Sequence, residues 1–388
     1  MEHAYDLVLS GGHVIDPRND VDAALDVAVA EGRIAAVGPN LAAAAARSVD
    51  VSGLYVTPGL LDIHLHAFGG FNAWLFPDPS CLSCGVTTAV DTGSCGHEDF
   101  ERFRETIIEP STTRVLAFLN IVGAGMTGPP EQDTTDMDPR PCADTIGNYP
   151  EYLVGAKSAH FGGPGWESAG GAIEAARLSD TIAMVDFSPR PTRTYAELLE
   201  RFDPGDVHTH LYSTRTPLVD RDSRKVADYV WAARERGIVF DLGHGNMSFY
   251  WHIAAPAMEQ GFPPDTISTD LHRRSRLLSN ATMDVTMSKM LALGMSLQEV
   301  VQRSTWRPAQ VVGRPELGHL GVGAEADIAV LELVEGDFRF VDSTRSTMPC
   351  RHRLQCHMTL RAGDIVWDLQ GRSFPDWHDA LPAAWRQD

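Results

Sequence analysis

No stretch of this 388-residue chain approaches the roughly 18 consecutive apolar residues of a membrane-spanning helix. The opening Met1-Glu2-His3-Ala4-Tyr5-Asp6 has neither the basic start nor the apolar centre of a secretory signal, so a cytoplasmic protein is expected. Cysteine is scarce, six in all, too few for the disulfide framework of small secreted domains. Cys81 and Cys84 form one C-x-x-C without a second pair at zinc-site spacing, and read as reduced structural thiols. Positive charge is in deficit: 32 Lys and Arg against 52 Asp and Glu leave a formal net charge of −20. That balance disfavours nucleic acid and anionic membranes as partners. Two catalytic signatures are also missing. There is no G-x-S-x-G elbow of a serine hydrolase, and no dinucleotide-binding G-x-G-x-x-G follows the first strand of the central region. A small-molecule substrate is the remaining class of partner, with a homo-oligomer left open.

What is present is organised around Val56-Thr57-Pro58-Gly59-Leu60-Leu61-Asp62-Ile63-His64-Leu65-His66. Leu60 to His66 reads as a buried strand in which residues two apart share a face. His64 and His66 therefore project together from its carboxyl end, an arrangement able to hold one metal ion.

Before this strand, residues 1–57 read as short strands with two hairpin signals. Asp6–Ser10 and His13–Pro17 are separated by Gly11-Gly12; Leu25–Val29 and Arg33–Gly38 are separated by Glu31-Gly32. From 58 to 313 short strands alternate with helix-length amphipathic segments. Eight strands, starting with the one that ends at His66 and closing with Val239–His244 and Thr266–Asp270, predict a (β/α)8 TIM-type barrel. Residues 314–388 return to β character. The two ends, 1–57 and 314–388, are expected to form one small β-sandwich domain, since neither looks long enough to bury a core alone.

Polar groups recur at the carboxyl ends of the proposed strands: His64, His66, Asp91, Lys157, Asp186, His208, His210, His244 and Asp270. In such barrels the active site is built at that end from several strands at once. Packing alone does not explain so many metal-competent groups in register, because each buried polar group needs a partner. Lys157 ends an apolar strand, where a lone cation is costly to bury. Its neutral amine could add carbon dioxide, giving a carbamate with two oxygens able to bridge cations. Asp270, in Ser268-Thr269-Asp270-Leu271-His272, could bind metal and shuttle a proton.

Taken together, these segments resemble the amidohydrolase superfamily, in particular its amidohydrolase/deacetylase group, often called dihydroorotase-like. The resemblance rests on Leu61–His66, Gly85-Val86-Thr87-Thr88, Asp206–His210, Asp241–Gly245, Ile267–His272, Thr286–Met290 and Gly321–Asp327. It implies one or two divalent metals, zinc first and manganese as the alternative. By that resemblance His64, His66 and Asp270 would hold the first metal. Lys157, as a carbamate, would bridge to a second held by His210, and His244 would face the substrate. The fifth strand departs from the pattern, carrying Met184-Val185-Asp186-Phe187 where many relatives have a ligand histidine. Three readings stay open there. In the first, Asp186 substitutes as an oxygen ligand, which its place at the strand's carboxyl end favours; in the second, His208 supplies the imidazole; in the third, the second metal is weak and Asp186 binds substrate or orients a ligand.

The expected chemistry is hydrolysis of an amide-type C–N bond, or a related acyl ester, by a metal-activated hydroxide, with Asp270 moving the proton. An N-acyl or O-acyl compound is the first substrate class. Cyclic amides such as dihydroorotate or hydantoins come second, and a non-catalytic metal-binding homologue third. His272 and the arginines near the mouth, Arg190 foremost and then Arg193, Arg215, Arg273, Arg274 and Arg276, are candidates for the substrate.

Overall fold

The computed structural model describes residues 3–69, 75–378 and 380. Seven parallel strands lie side by side in chain order: β1 (Leu60–Leu65), β2 (Val86–Gly96), β3 (Arg114–Asn120), β4 (Leu153–Ser158), β5 (Ile182–Val185), β6 (Val207–His208) and β7 (Val239–Phe240). The two outer members are linked through one further segment. Thr266 bridges to Asp241 just beyond β7, and Leu271 bridges to Leu65 of β1, both in parallel sense. Thr266–Asp270 thus lies where an eighth strand is expected, but with only these isolated bridges. Its side chains add bonds of their own. Thr266 and Ser268 turn inward to donate to the Asp241 carboxylate, at 2.6 and 2.7 Å, while the Thr269 backbone and hydroxyl donate to Asp62. Backbone bonds also join this segment to the chain beyond β7, from Leu242 N–H to Thr266 O (3.0 Å), His244 N–H to Ser268 O (3.2 Å) and Gly245 N–H to Thr269 O (2.9 Å).

β1 and β2 are buried along their whole length, as strands covered on both faces must be. The helices that follow, such as Glu167–Leu178 after β4 and Tyr195–Arg201 after β5, bury their apolar faces against the sheet. Thr194 starts the second of these with a reciprocal bond pair to Glu197, a capping box.

The chain ends form two further sheets. One is ordered Arg33–Gly38, Asp26–Ala30, Tyr5–Ser10, Ala45–Asp50. The other is ordered Asp364–Asp368, Thr347–Arg361, Ile328–Val341, Tyr55–Pro58, His13–Asp16, Val21–Ala24. Leu7, Leu9, Val27 and Val49 of the first share a buried cluster with Val14, Val56, Ile328 and Met358 of the second. Of the two hairpins expected here, the second forms, with Asp26–Ala30 antiparallel to Arg33–Gly38. The first does not: Tyr5–Ser10 and His13–Asp16 enter different sheets. Gly11 adopts φ +75°, and a Cβ on Gly12 would come within 2.6 Å of Val56. These two glycines let the chain cross tightly between sheets, and do not mark a turn within one.

The pair Ile328–Val341 and Thr347–Arg361 is far longer than the sequence pattern indicates, and its tip reaches back to the carboxyl end of the central sheet. The Ser343 amide donates to Phe249 O at 2.9 Å, and the Trp251 amide donates to Asp342 at 3.2 Å. All six cysteines are free, and Cys81 and Cys84 are buried. Among the described residues no helix is long and apolar enough to cross a membrane.

Candidate active site

At the carboxyl end of the parallel sheet lies a cavity of about 320 Å³, lined by His64, His66, Lys157, His160, Asp186, His210, Arg215, Asp270, His272 and Arg274, among others. Period-2 alternation in β1 aims both histidines into it. His66 Nε2 lies 3.2 Å and His64 Nε2 3.7 Å from Asp270 Oδ1, and the ligand-capable atoms of the three residues fall within 4.8 Å of one another.

The outward nitrogens of these rings are held. His64 Nδ1 is 2.8 Å from Thr209 Oγ1 and 3.4 Å from Asp241; His66 Nδ1 is 3.0 Å from Ser94 Oγ; His210 Nδ1 is 2.6 Å from Gly243 O. Engaging Nδ1 in this way fixes each ring and leaves Nε2 facing inward, the arrangement that orients metal-binding imidazoles. Burial pushes the His64 imidazole down to about 3, with the Lys157 charge adding to the effect, so the ring is neutral and its lone pair is free to bind. Burial acts against the Asp270 carboxylate, but the hydrogen bond from His66 and the surrounding His64, His272 and His210 rings outweigh it. They hold Asp270 well below the usual carboxylate range. His210 and Asp270 both take left-handed backbone angles, φ +63° and +45°, uncommon for residues other than glycine and concentrated at functional sites.

Lys157 is buried at the cavity floor, and its Nζ has no hydrogen-bond partner among the described residues. Burial pushes its amine down to about 8 despite the attraction of Asp186 and Asp270, which brings its neutral form within closer reach than in an ordinary lysine. The chain has only three lysines, Lys157, Lys225 and Lys289, and two of them are fully buried. Arginine, used elsewhere in the chain, offers no neutral amine.

Asp186 reaches the same cavity, with Oδ2 3.5 Å from His210 Nε2. The Arg215 guanidinium grips both of its oxygens, NH2 to Oδ1 at 3.0 Å and NH1 to Oδ2 at 3.2 Å. Asp91 stays outside the lining and shapes the loops, accepting from the amides of Ala67 (2.7 Å) and Ser94 (2.8 Å).

The sequence candidates His208, His244, Arg190, Arg193 and Arg276 are placed outside the cavity lining. His208 lies behind the site, against Tyr195 at 4.8 Å between ring centres, with neither ring nitrogen hydrogen-bonded among the described residues. His244 is also outside the lining: its Nδ1 is 2.7 Å from Gly245 O and its Nε2 is 2.7 Å from Lys289 Nζ. The buried lysine thus engages the Nε2 of that ring. Arg190 is engaged by the carbonyls of Gly162 (3.2 Å) and Pro189 (3.0 Å), and Arg193 is buried, donating to carbonyls of Phe161, Gly165 and Ser188. Neither lines the cavity. Arg276 pairs with Asn280, whereas Arg215, Arg274 and His272 do line it.

Sequence reasoning missed His160, which lines the cavity and pairs with Glu131 at 2.9 Å. The signal available was weak: a second polar residue three positions past Lys157, at the mouth of a glycine-rich loop.

The buried His208 gives a testable pH effect. Burial pushes its imidazole down to about 3, whereas the unfolded chain protonates near 6.5. The unfolded state therefore binds the extra proton first, and stability falls as pH drops below about 6.5. At pH 5 this single group costs about 2 kcal/mol. Thermal melting of His208→Leu at pH 8 and pH 5 should show a smaller acid-induced loss than the parent protein; an equal loss in both would disprove the assignment.

Residues 251–360 match the amidohydrolase family. Over 337 residues the chain is 33% identical to a deacetylase of Brucella anthropi, covering 83% of each protein. Over 327 residues it is 34% identical to a deacetylase of Agrobacterium fabrum, covering 81% of this chain and 79% of the relative. Among solved structures, that of an adenine deaminase matches with a TM-score of 0.86 at 26% identity, over 94% of this chain and all of the other. A dihydroorotase matches with a TM-score of 0.84 at 30% identity, over 93% of this chain and 99% of the other.

Proposed function

Because this chain belongs to the amidohydrolase family, we propose that it is a metal-dependent hydrolase cleaving the amide C–N bond of an N-acyl small molecule, with an acyl ester as the near alternative. The observation that carries this reading is the convergence of His64, His66 and Asp270 within 4.8 Å at the floor of the cavity. Its deacetylase-named relatives span most of the chain, which favours acyl removal. The dihydroorotase likeness at 30% identity supports cyclic amides as the second reading. In architecture, the seven parallel strands and Thr266–Asp270 are read as a closed (β/α)8 barrel over 58–313. The two remaining sheets are read as a β-sandwich from 1–57 and 314–388.

The donor set fits a divalent cation. Two imidazoles whose Nδ1 atoms are held elsewhere, beside an ionised carboxylate, suit zinc and are acceptable to manganese. Lys157 fits as well: its unpartnered Nζ, as a carbamate formed from amine and carbon dioxide with loss of a proton, would present oxygens to the same ion. When bound, such an ion acts as a Lewis acid and lowers the pKa of water to near neutrality.

The chain's own groups do the rest. Asp270, ionised and facing the cavity, takes the proton of the attacking water and delivers it to the leaving nitrogen. Thr209, Asp241 and Ser94 keep the His64 and His66 rings in the tautomer that leaves Nε2 unprotonated. Arg274 and His272, at the rim, orient the acyl compound.

The test combines metal analysis with turnover. Purified protein should carry about one equivalent of a divalent metal or more, lose hydrolysis of N-acyl amino acids or acylated hydroxy acids on chelation, and regain it on zinc addition. Less than half an equivalent of any divalent metal, or full turnover after its removal, rules the reading out. Turnover confined to cyclic amides would select the second reading.

A further inference from the structure

Resting on the metal-dependent reading above, we infer that the Asp186–Arg215 ion pair takes the place of a second metal, so that this enzyme works with one divalent cation and a built-in guanidinium.

The inference starts from the residue change on β5. An imidazole is a neutral ligand with one lone pair to offer. Asp186 instead brings a negative charge, and the structure shows what meets it. Arg215 approaches in the two-pronged geometry that matches a carboxylate, with one nitrogen on each oxygen at 3.0 and 3.2 Å. His160 Nε2 stands 3.9 Å from Oδ2 on another side. The Asp186 side chain is 3% exposed, so little solvent competes for it. A metal ion bridging His210 and Asp186 would need an oxygen that already accepts from the guanidinium. It would also bring a double positive charge against Arg215, repulsion that a low-dielectric site magnifies.

The ligand-capable groups divide in the same way. His64, His66 and Asp270 form a tight three-residue group, and Asp186 and His210 are not part of it. His208, the other imidazole that could have restored the histidine, is turned behind the site against Tyr195. Arg215 is about one-third exposed and lines the cavity; its Nε and one terminal nitrogen also reach Ser213 Oγ and Ser248 Oγ at 3.5 Å, and the exposed part of the guanidinium borders the space a substrate enters. A guanidinium there supplies positive charge to the substrate's carbonyl oxygen. Unlike a metal ion, it is indifferent to chelators. Arg215 is thus a substrate-facing residue and Asp186 the group that positions it.

Metal stoichiometry tests this without relying on activity. The protein is saturated with excess zinc in the presence of bicarbonate, freed of loose ions, and its metal content measured; cobalt-loaded samples are examined by electron paramagnetic resonance. The expected result is one equivalent in the parent protein, with the spectrum of an isolated ion. Arg215→Ala, which frees both Asp186 oxygens beside His210, should rise towards two equivalents with a magnetically coupled pair. Arg215→Lys, keeping a cation, should stay at one. Two equivalents in the parent protein overturn the inference while leaving the hydrolase reading intact, and so does an Arg215→Ala protein that stays at one. No metal at all would remove the hydrolase reading and this inference with it. The parent measurement decides even if a variant fails to fold.

Discussion

Asp270→Asn is expected to lose turnover by a factor of about 100 to 10,000, the usual contribution of a positioned acid–base group, while melting close to the parent protein. Asparagine keeps the size and one oxygen of the side chain but cannot accept a proton. It also suits the backbone here. Asp270 sits at φ +45°, where asparagine is among the few side chains tolerated, so the substitution adds no strain that an alanine would. Gly245 leaves room for the carboxylate, since a Cβ there would fall 2.3 Å from Asp270 Oδ2, while Oδ1 lies 3.2 Å from His66 Nε2. A steady-state assay on the best acyl substrate, with metal content measured in parallel, checks the prediction. Near-parental turnover in Asp270→Asn would disprove the proton-transfer role.

Lys157→Ala is expected to lose most of its bound metal and at least about 100-fold in turnover, the scale on which groups that hold or orient a catalytic metal act. The lysine is buried with an unpartnered Nζ, an arrangement that costs stability unless the amine acquires a partner. Carboxylation would supply one, replacing a stranded amine with a carbamate able to bind the metal. The alanine variant should therefore be no less stable than apo parent protein, and short carboxylic acids should restore part of its activity by occupying the vacated space. Full metal content in Lys157→Ala would show that the lysine is not a ligand. A carbon-13 bicarbonate label appearing in the parent but not in the variant would support the carbamate directly.

Much of the site was legible because a strand with period-2 alternation fixes which side chains share a face. His64 and His66 had to project together once Leu60–Leu65 was a strand, and Asp270 and Lys157 lay at the matching ends of others. The loops were not legible. Arg215 sits five residues beyond His210, and nothing in its neighbourhood distinguished it from Arg190 or Arg193. The structure engages those two with carbonyls of the 161–165 loop and its neighbours and leaves Arg215 in the cavity. His244 was placed on the right strand end, but its direction was set by Lys289, 45 residues away.

The sequence by itself determined the succession of strands and helices, the strand ends that carry polar groups, and the absence of a disulfide framework. All of these follow from local periodicity and composition. Tertiary structure alone decided that Gly11 and Gly12 carry the chain between two sheets, that the long pair from Ile328 to Arg361 reaches the catalytic end, and that Asp186 faces a guanidinium. Each depends on groups far apart in the chain meeting in a buried setting, where an unpaired charge or hydrogen-bonding group is costly. The pairing that satisfies them is chosen by three-dimensional proximity, which local pattern does not encode.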